Sequence, residues 1–132
     1  KIIGVIPEKI HKSIDPFEGV HEIIITKTMS ERKSIMFDKA YGFVALPGGF
    51  GTLEEVLEII TLKQLGYVDK PITFLNTKGF YNPLLEQFEV IYKEHFAKQS
   101  NRDIYFVSSK PQEIVDYIKN YKPSKDSSSK WL

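Results

Sequence analysis

The sequence predicts an α/β fold, a parallel sheet with helices on both faces. Three observations carry this. Short β-branched runs alternate with amphipathic segments along the chain. One such run, Gly42 to Leu46, leads into Pro47-Gly48-Gly49-Phe50-Gly51-Thr52, and from Thr52 onward apolar residues recur at helical spacing. Strand, glycine turn and helix in that order form the place where open α/β sheets hold their ligands.

The first strand is expected at Ile2-Ile3-Gly4-Val5-Ile6, and because the chain enters it directly from Lys1, an N-terminal part of the fold is expected to lie outside this sequence. Pro7 to Glu18 has no clear period and reads as a connection with one helical turn. Glu22-Ile23-Ile24-Ile25-Thr26 is the second strand. Ser30 is the expected N-cap of the next helix, whose face carries Ile35, Met36, Phe37 and Ala40. Arg32 and Lys33 then fall in its first turn, where the helix dipole disfavours cations and an anion would compensate.

After the glycine turn, a helix is expected over Thr52 to Leu65, with Glu54 and Glu55 in its first turn. Leu53, Val56, Leu57, Ile60 and Gln64 form its core stripe, with Glu55 projecting away from the stripe's centre. Thr61 has the option of bonding back to the preceding turn. Lys70-Pro71 introduces the strand Ile72-Thr73-Phe74-Leu75. Asn82-Pro83 reads as a cap followed by proline at the first helical position, with Leu84, Leu85, Phe88, Ile91, Tyr92 and Phe96 marking the helix. Ile104 to Val107 is the last strand, and Pro111 to Tyr121 the last helix, packed through Ile114, Val115 and Ile118. Residues 1–122 thus read as one domain and 123–132, rich in Pro, Lys and Ser, as an unstructured tail.

The composition narrows the function. Eighteen basic against seventeen acidic residues provide no field for nucleic acid or an anionic membrane, and zero cysteines remove disulfides and thiolate metal sites. No run has spanning length, so a cytoplasmic protein is expected. His11, His21 and His95 have no ligand spacing, so no metal is expected. The glycine turn is neither a P-loop nor a dinucleotide fingerprint, which argues against ATP hydrolysis and NAD binding. Glycines there are expected to supply backbone angles barred to other residues and to let a ligand approach the main chain. The helix behind them offers unpaired N–H groups to a phosphate.

Met29-x-x-Arg32-Lys33 and Pro47-Gly48-Gly49-x-Gly51-Thr52-x-x-Glu55 together resemble the paired signatures of the Lonely Guy (LOG) family. The similarity runs on through Leu57-Glu58-Ile59-Ile60-Thr61, Gln64-Leu65-Gly66, Asp69-Lys70-Pro71 and Asn76 to Tyr81-Asn82, and weakens after about Glu94. The family's members are cytokinin riboside 5′-monophosphate phosphoribohydrolases, many formerly labelled lysine decarboxylases. The resemblance implies a homodimer of Rossmann-like fold that takes a small-molecule nucleoside monophosphate and needs no cofactor. It further implies Arg32 and Glu55 as the catalytic pair, with Lys33, Gly48, Gly49, Gly51, Thr52 and Thr61 binding the nucleotide.

Two features depart from the family pattern: the upstream GGGxxGLMG segment is not in this sequence, and His11 to Phe17 lacks the usual Pro-Arg-Glu type sequence. No lysine stands in a setting suited to pyridoxal phosphate, so the residues lend the decarboxylase label nothing. Two other functions fit the same residues: a non-catalytic nucleotide or cofactor carrier or sensor, and a nucleosidase specific for plain AMP. Base release, or its absence, separates them.

Overall fold

The computed structural model describes residues 1–13 and 18–123. The chain is α/β, with parallel strands and surrounding helices, and divides into two compact units, Lys1–Ala40 and Tyr41–Leu132. The expected tail lies, from Ser124 on, outside the described residues, as does the part of the Pro7 to Glu18 connection from 14 to 17.

In the first unit, β1 (Ile3–Pro7) pairs in parallel with β2 (Glu22–Thr26), in a register from Ile3 opposite Glu22 to Pro7 opposite Thr26. A single helical turn, α1 (Glu8–His11), follows β1, as the mixed composition there suggested. Helix α2 spans Met29–Lys39. Its cap is Thr28 and not Ser30: the Thr28 hydroxyl accepts from the Glu31 N–H at 3.0 Å, while the Glu31 carboxylate reaches back to the Lys27 N–H at 2.8 Å. That reciprocal arrangement satisfies two donors at the helix entrance, which Ser30 cannot do. The helix therefore begins earlier than expected, and Arg32 and Lys33 sit beyond its first turn. The charged residue in the first turn is Glu31, which suits the dipole. With an acid in its first turn, that helix end calls for no compensating anion.

In the second unit, β3 (Phe43–Ala45), β4 (Ile72–Leu75) and β5 (Tyr105–Ser108) form a parallel sheet with β4 in the middle. Between them run α3 (Phe50–Gln64), α4 (Asn82–Lys93) and, after β5, α5 (Pro111–Asn120). The central strand is the most buried, with Ile72, Thr73 and Phe74 at 0% exposure. Such a strand needs cover on both faces, and ring contacts show where it comes from. Ile72, Phe74, Tyr105 and Val107 share one face by register, and there Phe74 meets Tyr105 at 5.6 Å and Phe88 of α4 at 6.3 Å, edge to face. Phe106 lies on the other face and stacks on Tyr117 of α5 at 4.5 Å. Helices thus cover both faces of this sheet. Each aromatic pair adds about 0.5–1.5 kcal/mol to the area it buries.

Two buried polar side chains in this unit, Thr73 and Lys63, find partners on the main chain. The Thr73 hydroxyl donates to the Phe43 carbonyl at 2.9 Å, tying β4 to β3. Lys63, 7% exposed on α3, donates from Nζ to the Lys70 carbonyl at 2.9 Å and lies 4.5 Å from the Tyr121 ring centre. The contact of a cation with an aromatic face makes that burial tolerable.

Several expectations shift here. The buried stripe of α3 is Val56, Ile59 and Lys63, whereas Leu57 is exposed. The helix is apolar on more than one side, so spacing alone does not choose the inner face. Val115 and Phe96 are also exposed, and Phe96 lies past the end of α4. Asn82 is already inside α4, with no side-chain cap bond at the helix start; its Oδ1 accepts instead from Asn76 Nδ2 at 2.8 Å.

Candidate functional site

Each unit holds part of the predicted site. In the second, β3 ends at Ala45, the chain passes through Leu46, Pro47 and Gly48, and Gly49 is the N-cap of α3. The helix starts at Phe50, two residues before Thr52. The first bond within it runs from the Leu53 N–H to the Gly49 carbonyl at 3.2 Å, so the N–H groups of Phe50, Gly51 and Thr52 precede the helical ladder. With this start, the first turn holds no acid, and Glu54 and Glu55 move into the second.

The three glycines serve space and not unusual angles. Positive φ among the glycines occurs at Gly66 and Gly79, neither of them in this turn. A Cβ on Gly48 would overlap the Thr52 hydroxyl and lie 2.9 Å from Thr52 Cβ, closer than real Cβ atoms come. A Cβ on Gly49 or Gly51 would meet nothing within 4 Å. Gly48 is thus required by the protein itself. Gly49 and Gly51 are required by nothing in the chain around them, and they leave the main chain open on that side.

Glu55 is half-buried and lies about 40° around the helix from Ile59, at the flank of the buried stripe and off its centre. Thr61 is exposed, and its hydroxyl donates to the Leu57 carbonyl at 2.8 Å, the back-bond its sequence position allowed. It lies about 120° around α3 from Glu55 and about 15 Å along the axis from Gly51. The structure therefore does not bring Thr61 to the glycine turn. It lines a groove of about 140 Å³ with Leu57, Ile60 and Gln64 of α3 and Phe88 and Ile91 of α4.

One residue that sequence reasoning passed over belongs beside the turn. Tyr81, 1% exposed, donates its hydroxyl to the Leu46 carbonyl at 2.5 Å. Burial pushes its phenol up from the ordinary tyrosine range, which keeps it a donor. Its main-chain N–H is held by Asn76 Oδ1 at 2.8 Å, and its ring packs edge-on against Phe74 at 4.9 Å. Tyr81 lay within the family-like stretch, yet nothing local links a tyrosine to a carbonyl 35 positions earlier.

In the first unit, Arg32 and Lys33 are half-buried on α2. Arg32 donates from Nε to the Val5 carbonyl at 2.9 Å. The side chain is thereby aligned with strand β1.

A family model described as possible lysine decarboxylase matches residues 1–118. The chain belongs to this family, the one that includes the LOG proteins. The match extends past Glu94, where the motif likeness fades. A probable cytokinin riboside 5′-monophosphate phosphoribohydrolase, LOGL2, of Oryza sativa subsp. japonica is 39% identical over 98% of the chain and 54% of its own length. The Arabidopsis thaliana cytokinin riboside 5′-monophosphate phosphoribohydrolases LOG5 and LOG1 are 38% and 39% identical, over 98% and 92% of the chain and 58% and 57% of theirs. The chain thus spans about half the length of the curated LOG relatives it matches.

Proposed function

We propose that this protein hydrolyses the N-glycosidic bond of adenine-type nucleoside 5′-monophosphates, cytokinin nucleotides among them, releasing free base and ribose 5-phosphate. The observation that carries the reading is the glycine turn: main-chain N–H groups ahead of the helical ladder, no Cβ at Gly49 or Gly51, and a carboxylate one turn further along the same helix. Identity of nearly two-fifths to named phosphoribohydrolases supports it.

The N–H groups of Gly49, Gly51 and Thr52 hold the 5′-phosphate, helped by the positive end of α3, with Gly48 and Thr52 setting the turn's shape. Glu55 takes a proton from the attacking water as its oxygen bonds to the anomeric carbon. It also offsets positive charge growing on the sugar. The C–N electron pair leaves with the base, which takes up a proton. Arg32 supplies positive charge to the phosphate, the ribose or the departing base, and Lys33 adds charge for the nucleotide. Thr61 takes part from the α3–α4 groove, and a homodimer closed over that groove is the assembly that gives it a place in the reaction. Leu57, exposed on α3 and part of the groove's lining, suits such a contact. Among the described residues no helix is long and apolar enough to cross a membrane. The cytoplasm is the proposed compartment.

Incubation of the full-length protein with AMP and with N6-isopentenyl-AMP, followed by chromatography of the released base, tests this. Release from both, or from the isopentenyl nucleotide alone, supports the proposal. Release from AMP alone makes it a plain AMP nucleosidase. Nucleotide binding without release makes it a carrier.

A further inference from the structure

We propose that Tyr81 is a positioning residue for the phosphate-binding turn, acting through the Leu46 carbonyl. This rests on the function proposed above. The turn from Leu46 to Gly49 joins a three-residue strand to a helix, and it contains a proline that has no N–H to bond with. Its shape is fixed at two points. Thr52 packs under Gly48 from the helix side. Tyr81 bonds the carbonyl at the strand side, 2.5 Å away.

Tyr81 is itself immobilised. Its N–H is bonded to Asn76 Oδ1, Asn76 Nδ2 is bonded to Asn82 Oδ1, and the Asn76 N–H is bonded to the Ser108 carbonyl at 2.8 Å, at the end of β5. Its ring is held between Phe74, at 4.9 Å, and Phe80, at 5.0 Å. The orientation of the turn is therefore referred to the ends of β4 and β5, and not left to the loop. N–H donors preset toward an anion bind it without reorganising, which is what a rigid clamp provides.

Tyr81→Phe keeps the ring and removes the donor. The expected result is a loss of about five- to tenfold in affinity for ribose 5-phosphate, the usual scale of one hydrogen bond, with affinity for the phosphate-free nucleoside N6-isopentenyladenosine unchanged. Amide 1H–15N shifts move at Gly48, Gly49 and Gly51 and stay put along Ile72–Leu75. Asn76→Ala, which loosens Tyr81 without deleting its hydroxyl, repeats the pattern more weakly and serves if Tyr81→Phe does not fold. Equal affinity of wild type and variant for ribose 5-phosphate, or equal loss of both ligands, overturns the clamp alone. Failure of the wild-type protein to bind ribose 5-phosphate overturns the function above, and the clamp's role with it.

Discussion

The Nε–H of Arg32 donates to the main-chain carbonyl of Val5 at 2.9 Å, fastening a side chain of helix α2 to the middle of strand β1. A guanidinium presents several donors in a fixed plane, so anchoring one of them orients the rest. A lysine has the charge but not the plane. Arg32→Lys is accordingly expected to lose at least about tenfold in kcat/KM for the nucleotide, and Arg32→Ala more. Steady-state kinetics on both variants check this, and Arg32→Lys with wild-type kinetics would remove the orienting role.

The glycine turn offers a contrast within one motif. At Gly48 an added methyl group collides with Thr52, so Gly48→Ala is expected to lower both the thermal midpoint and the activity. At Gly49 and Gly51 the methyl group enters open space, so alanine there leaves the midpoint near wild type while raising KM for the phosphorylated substrate. Thermal melts set beside KM values separate the two kinds of glycine. Equal behaviour at all three positions contradicts the open-cradle reading.

Glu55→Gln keeps size and hydrogen bonding but cannot take a proton. Turnover is expected to fall by about two to four orders of magnitude, the range for a positioned acid–base group, with ribose 5-phosphate affinity retained. Full turnover in this variant would falsify the assignment of Glu55 as the base.

The tyrosines predict an alkaline limit to stability. Burial, reinforced by a hydrogen bond, raises Tyr105 through Tyr92 and Tyr121 through Asp69, and burial alone leads the rise at Tyr81 and Tyr117. A phenol whose pKa is higher in the folded state stabilises the fold fully below its unfolded value of 10.0, and that contribution is lost as pH rises from there through the folded value. Urea midpoints should hold steady up to about pH 9.5 and fall beyond it. Tyr121→Phe, which cannot ionise, should flatten part of that fall, and an unchanged slope would rule Tyr121 out as a source.

Much of the fold was legible because its signals are local. Ile72-Thr73-Phe74-Leu75 and Glu22 to Thr26 formed strands at the expected positions, since β-branched residues between breakers have few alternatives. The start of α2 was missed by two residues because Thr28 and Ser30 are both good caps by type, and only the geometry that lets Glu31 answer Thr28 decides between them. The inner face of α3 was misjudged for a similar reason: Leu57 and Ile60 are as apolar as Val56 and Ile59.

By itself, the order of residues determined the parallel α/β class, the glycine turn between a strand and a helix, and the two motifs that mark the family, because each is written in neighbours within a few positions. Tertiary structure alone decided that Val56, Ile59 and Lys63 make the buried face of α3, and that Tyr81 holds Leu46. These depend on which helix face turns inward and on which distant segments meet, and contacts between groups far apart in the chain leave no periodicity for spacing to reveal.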